Sequence, residues 1–314
     1  MQGTHTNKKL QEHIYATLKY FGLFKFPLYS EEIQRYLGTT ATSREIIFEL
    51  SAMIKAGAVF VHNELYMLFD DPGLAERRNS GTHRAEKMMN EAHRSASVIS
   101  HFPFVKGICV SGSLSKGYAD EKSDIDFFII TDEKRLWICR TLLHVFKKFT
   151  FLVNKQHSYC MNYFIDESRL QLEEKNLFTA TEIVTLKPLY NLNVYQDLVE
   201  ANKSWVNGFY PNIHWNGYQN FRQRKSFIKT LAEFCLNIAV PSLTNHLLMQ
   251  LTDRLWRFKW RRKNYPMEYY DLAMKTRWYV SKNHPKNYQR KVLENIQDET
   301  MPVSATALPL NYSV

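Results

Sequence analysis

Residues 107–131, GICVSGSLSKGYADEKSDIDFFIIT, decide how the chain is read. An apolar run at 108–110 leads straight into Gly112-Ser113, and Asp124-Ile125-Asp126 opens a second apolar run at 127–130. Both runs read as strands, so the pattern predicts a glycine-serine turn at the end of one strand facing two carboxylates at the start of the next. Side chains alternate along a strand, which places Asp124 and Asp126 on one face and Ile125 on the other. Two hard oxygen ligands so arranged suit magnesium, which keeps most of its waters and takes phosphate oxygens beside one or two carboxylates. Gly112 lets the backbone approach a phosphate closely, and the amides and hydroxyls of Ser111, Ser113 and Ser115 can donate to it. Lys116 is a candidate charge partner for the same phosphate.

This pattern resembles the polymerase-beta-like nucleotidyltransferase superfamily, whose signature is a strand, Gly-Ser, a short helix, then Asp-x-Asp beginning the next strand. The resemblance rests on Gly112, Ser113, Asp124 and Asp126 with their flanking strands. It implies an α+β fold with a mixed-sheet core, and transfer of a nucleoside monophosphate from an NTP to an acceptor hydroxyl with release of pyrophosphate. Gly112 and Ser113, with Ser115 and Lys116, then hold the nucleotide's phosphates, and Asp124 and Asp126 bind two Mg²⁺ (or Mn²⁺) ions. Superfamily enzymes add a third acid from a neighbouring strand. Residues 158–165 read as a third strand that ends in Asp166-Glu167, with Asn162 and Asp166 on one face. An amide cannot take up a proton at neutral pH, so Asp166 is the expected third metal ligand and base, provided that strand runs antiparallel and brings its end beside Asp124. If the third position falls on Asn162, the chain departs from the family pattern and catalysis is in doubt.

Upstream, residues 8–69 predict three helices and a hairpin, the order of a winged helix. Leu10, Ile14, Leu18 and Phe21 fit one helical face; Ser30 caps a short helix; Thr42 and Glu45 form a capping box that opens a third helix, which Gly57 stops. Two short apolar runs then flank His62-Asn63-Glu64. The third helix offers Arg44 and Lys55 against Glu45 and Glu49, so packing or protein interaction is expected there rather than DNA reading. Asp71-Pro72 starts a connector that breaks near Ser80-Gly81 and resumes to about residue 100 on a stripe of Ala85, Met88, Ala92, Ala96 and Ile99. His83, His93 and His101 along it read as surface histidines, because no carboxylate repeats beside them at ligand spacing.

Downstream, residues 132–149 predict a helix covering the sheet, and helices follow at 173–184, 195–206, 221–239, 241–263, 267–277 and beyond Pro285. The expected organisation is a winged helix (1–72), connector (73–104), nucleotidyltransferase core (105–215), helical C-terminal domain (216–300) and tail (301–314). The chain has 314 residues and a net charge of +10, and residues 220–291 hold sixteen Lys and Arg against four acids. Arg222, Arg224, Lys225 and the run 257–263, where cations alternate with Trp256, Phe258 and Trp260, fit two accounts. One is a grip on nucleic acid or nucleotide phosphates, the other a helix with inward aromatics and solvated or membrane-flanking cations. Cys109, Cys139, Cys160 and Cys235 fall singly in apolar segments and read as buried thiols. A polar N-terminus and the lack of any apolar run long enough to span a bilayer lead to the expectation of a cytoplasmic protein. Two other classes fit the same pattern: a catalytically dead nucleotide sensor carrying a winged helix, and an antitoxin-like binding partner.

Overall fold

A computed structural model describes residues 7–150, 152, 156–215 and 226–297. Arg222, Arg224, Lys225 and the tail at 301–314 lie outside the described residues. The chain divides into two compact units, one formed by residues 1–79, 207–214 and 290–314, the other by 80–206 and 215–289.

In the first unit α1 (Lys8–Gly22), α2 (Ser30–Arg35) and α3 (Ser43–Lys55) precede an antiparallel hairpin of β1 (Phe60–His62) and β2 (Leu65–Met67). Asn63 and Glu64 both take positive φ, as a two-residue hairpin turn matching strand twist requires. Thr42 and Glu45 cap α3 reciprocally. Leu10, Ile14, Leu18, Ile33, Leu37, Ile46 and Leu50 are buried. Glu49 is buried too, accepting from Asn7 N and from Gln11 Nε2, each at 2.7 Å, so it does not face solvent. The exposed surface of α3 carries Ile47 and Phe48 beside Arg44, Glu45 and Lys55. Asn212 returns to this unit and donates to the carbonyls of Gln34 and Thr39, at 2.9 and 2.8 Å.

The helix α4 (Pro72–Ser100) runs unbroken through Ser80-Gly81, where the sequence suggests a break. Gly81 serves packing rather than termination: a β-carbon there would lie 2.1 Å from the ring of Tyr118. Next come β3 (Val105–Val110), α5 (Gly112–Ser115), β4 (Asp126–Thr131), α6 (Leu136–Thr150) and β5 (Cys160–Asp166). These are followed by α7 (Leu177–Thr185), β6 (Lys187–Tyr190), α8 (Leu192–Phe209), α9 (Phe227–Ala239) and α10 (Ser242–Arg262). The one-turn α11 (Tyr270–Ala273), β7 (Thr276–Arg277), β8 (Val280–Lys282) and α12 (Tyr288–Gln297) close the described chain. Six strands form a mixed sheet in the order β6-β3-β4-β5-β8-β7, in which only β4 and β5 are parallel.

The core of this unit lies between the sheet and its helices. Ile108, Val110, Phe127 and Ile129 from the strands meet Ala92, Ala96 and Ile99 of α4 and Trp137, Cys139 and Leu143 of α6. Burying one such side chain as large as Phe127 contributes about 2–3 kcal/mol. Trp137 is fully buried, donating from Nε1 to the Arg277 carbonyl at 2.8 Å, and Arg140 lies over both Trp137 and Trp256. Cys109 and Cys139 are buried as expected; Cys160 is half-buried in the site described below, and Cys235 is exposed on the outward face of α9.

Candidate active site

The site grows out of the antiparallel crossing of β3 and β4. Val110 pairs with Phe127, and Ser111 N donates to the Asp126 carbonyl at 2.9 Å, so the turn after β3 is drawn against the first residue of β4. Gly112 follows with φ of +67°, a backbone state that side chains disfavour, and a β-carbon on it would sit 2.7 Å from Asp126 Oδ2. Both facts demand glycine. The single turn of α5 is anchored by buried Leu114 and by Ser113, whose carbonyl accepts from Lys116 N and Tyr118 N. Ser115 is buried and its hydroxyl donates to the Gly112 carbonyl at 2.8 Å, so it shapes the turn from inside instead of facing a ligand. Lys116 Nζ reaches the same carbonyl at 3.2 Å and Glu182 Oε1 of α7 at 2.7 Å.

Asp126 is half-buried at the start of β4. Burial pushes its carboxyl up to about 6; the charges of Asp124 and Glu182 push the same way, while hydrogen bonds from Cys160 and Asn162 oppose the rise. Asp124, two residues before the start of the strand, is more open and hydrogen-bonds His157 Nδ1. Ile125 packs into the core between the two acids, and its amide and carbonyl bond to residues 157 and 160, fixing both carboxylates against the entry to β5.

Asn162, not Asp166, is brought to this centre. Its Nδ2 donates to Asp126 Oδ1 at 3.0 Å. The pairing of β4 with β5 steps from Phe127↔Met161 to Phe128↔Tyr163, leaving Asn162 as the extra residue of a bulge that aims its side chain at Asp126. Asn283 N holds the Asn162 carbonyl from the other side at 2.9 Å. Asp166 pairs with Thr131, five residues along β4 from Asp126, which separates them by about 16 Å. The expected antiparallel course of that strand gives way to a parallel one because α6 lies between β4 and β5, and a helical crossover returns the chain in the same direction. Asp166 instead accepts from Lys134 N (2.7 Å), Ser168 N (3.0 Å) and Ser168 Oγ (2.6 Å) as the cap of a short turn after β5.

Four groups at the site carry no signal in the linear pattern: Glu182, His157, Cys160 and Asn283. A carboxylate eight residues beyond the preceding acid, or an amide just past the interior strand β8, acquires its meaning only from the sheet order. Among the described residues, no group of three or more His, Cys, Asp or Glu side chains is placed to hold a metal ion. Asp124 and Asp126 offer two carboxylates, a set that fits a hard divalent cation whose remaining ligands are water and phosphate. The crowding of negative charge around Asp126 fits the same need, since a bound cation removes the electrostatic cost of ionising it.

A family model described as a nucleotidyltransferase domain matches residues 95–199, which include Gly112, Ser113, Asp124, Asp126 and Asn162. No curated protein matches the chain, and no solved structure does.

Proposed function

We propose, from the nucleotidyltransferase domain at residues 95–199, that this protein transfers a nucleoside monophosphate from an NTP to an acceptor hydroxyl with release of pyrophosphate. The observation that carries the reading is Gly112, which has positive φ and no room for a β-carbon against Asp126. A phosphate-binding turn and a carboxylate are thereby held at the closest approach the backbone permits. Ser111, Gly112 and Ser113 bind the β and γ phosphates through the turn, with Lys116 and Glu182 keeping its carbonyl fixed. Asp124 and Asp126 would hold Mg²⁺, which when bound neutralises the triphosphate and favours the approach of the acceptor oxygen. Asn162 keeps the Asp126 carboxylate oriented by its 3.0 Å hydrogen bond. It accepts no proton, so the acceptor hydroxyl loses its proton to solvent or to a group of the acceptor itself. Because phosphoryl transfer needs mainly positioning and charge neutralisation, two carboxylates and the turn suffice for the reaction class.

Asn162 also favours a second reading, in which the site binds Mg-NTP without turning it over and the protein acts as a nucleotide sensor. The N-terminal unit, which we assign to a winged helix used for packing, suits either role. Incubation with each labelled NTP and Mg²⁺ separates the two. Label on an acceptor together with stoichiometric pyrophosphate supports transfer; metal-dependent NTP binding without pyrophosphate selects the sensor.

A further inference from the structure

Helices α9 and α10 pack on the catalytic unit by one face each and leave the opposite faces uncovered. Inward, Leu236 and Val240 of the first segment and Leu248 and Met249 of the second join the core beneath the sheet. Outward, α9 exposes Phe227, Ile228, Leu231, Phe234 and Ile238, and α10 exposes Leu243, Leu247, Leu251, Leu255 and Phe258. With exposures between 51% and 79%, these ten side chains present on the order of 1,000 Å² of apolar surface, where a monomer's largest patch is usually a few hundred.

The charges on these helices are sorted. Both acids are turned inward: Glu233 accepts from Phe104 N at 2.8 Å, and Asp253 is held by Arg257 and Thr276. Lys229, the one cation of α9, also turns inward, to the carbonyls of Ser100 and Val105. Outside lie the apolar residues along both helices, a few uncharged polar side chains such as Asn237 and Gln250, and cations towards the end of α10, where Arg254, Lys259, Arg261, Arg262 and Lys263 are exposed. Arg262 lies over the ring of Phe258. Where α10 runs along α6, burial and then Arg140, Lys148, Lys147 and Lys259 hold His144 down to about 4, and of these the exposed Lys148 and Lys259 carry the cationic end across two helices.

We propose that this face is a docking surface for an anionic lipid membrane, with the apolar stripes of α9 and α10 seated at the headgroup level and the α10 arginines on the lipid phosphates. A second copy of the chain is the less fitting occupant, because the same face on a partner offers cations but no outward acid to meet them. Lipid headgroups supply that counter-charge. No single helix is long and apolar enough to cross a membrane; α9 and α10 are long and apolar enough only as a pair, which is bent by 91°, and in the proposed docking they lie along the interface with the cations on the headgroups.

The test is flotation of the full-length protein with vesicles. It should rise with vesicles of equal parts phosphatidylcholine and phosphatidylglycerol, stay down with phosphatidylcholine alone, and lose binding as salt is raised. Leu247→Gln with Leu251→Gln alters only exposed side chains and should lower vesicle partition about tenfold or more at unchanged melting temperature. Arg261→Glu with Arg262→Glu should remove the preference for the anionic vesicles. Two results overturn the proposal. One is a failure to bind either vesicle; the other is self-association in light scattering that the two leucine substitutions abolish while vesicle binding stays at the neutral-lipid level.

Discussion

Replacing Asp126 by Asn should stabilise the metal-free protein while damaging its nucleotide site. The carboxyl titrates near 6 in the folded protein against a reference of 3.8, so above pH 6 the folded state carries a charge it would rather not hold. Because the folded value lies above the unfolded one, this cost is fully present at pH 7.5, shrinks as pH falls through about 6, and vanishes below the unfolded value. Two units correspond to about 3 kcal/mol, and partial solvent access brings the expected gain to about 1–3 kcal/mol. Asn retains an oxygen to accept from Asn162, so only the weak bond from the Cys160 thiol is lost with the charge. In EDTA at pH 7.5 the variant should therefore melt about 2–8 °C above the native protein. The gap should close as the pH is lowered towards 4. With Mg²⁺ and NTP the order should reverse, since a cation that relieves the native carboxylate cannot use the amide. Mg-NTP affinity should fall about tenfold or more, as read by calorimetry. A variant that melts lower than the native protein in EDTA, or that binds Mg-NTP as well, would refute the assignment.

Other substitutions probe the neighbouring parts. Gly112→Ala sets a β-carbon against Asp126 Oδ2 and strains a positive φ; it should cost about 1–3 kcal/mol in denaturant and weaken NTP binding, and unchanged values for both would remove the turn from the site. Asp166→Asn should change stability by no more than about 1 kcal/mol, since Asn keeps an oxygen for Ser168 and loses only the acceptance from Lys134 N while relieving a buried charge, and should leave turnover intact; a hundredfold slower reaction would return Asp166 to the chemistry. Asn162→Asp should raise the rate of pyrophosphate release if a base is what the native centre lacks, and an unaltered rate would show that it is not. Arg44→Glu with Lys55→Glu on α3 should leave any duplex DNA binding by the full chain unchanged in affinity and salt slope, whereas a marked loss of both would make that helix a DNA reader.

The part of the site written in consecutive residues was legible, and the part made by sheet order was not. Strand, Gly-Ser, Asp-x-Asp and strand lie within 25 residues, and local periodicity places β3 and β4 with little help from the rest of the chain. The helices α3 and α10 announce themselves by a capping box and an opening proline. By contrast β6 contains Pro188, and β7 has two residues and β8 three. Such short or proline-containing strands, β6 and β7 at the edges and β8 just inside one, carry no periodic signal and form because a paired neighbour is present. The direction of β5 was available in principle, since residues 132–159 contain a full helix between hydrogen-bonded neighbours. The bulge at Asn162 was not, because a one-residue shift leaves composition and alternation almost untouched.

The contact between Gly81 and Tyr118 has a consequence for how this sequence can drift. The ring of Tyr118 fills the space that any side chain at position 81 would need, and the adjoining Ala119 amide donates to the Gly81 carbonyl at 3.1 Å. Tyr118 and Ala119 belong to the loop that runs from the turn at Gly112 to Asp124, so a helix position far from the acids in the chain governs where that loop lies. Neither residue can be exchanged alone: a larger residue at 81 expels the ring, and a smaller one at 118 leaves a hole against the helix. Descendants of this gene that have replaced Gly81 should carry a compensating smaller residue at 118, a coupled pair recoverable from any sufficiently deep set of relatives.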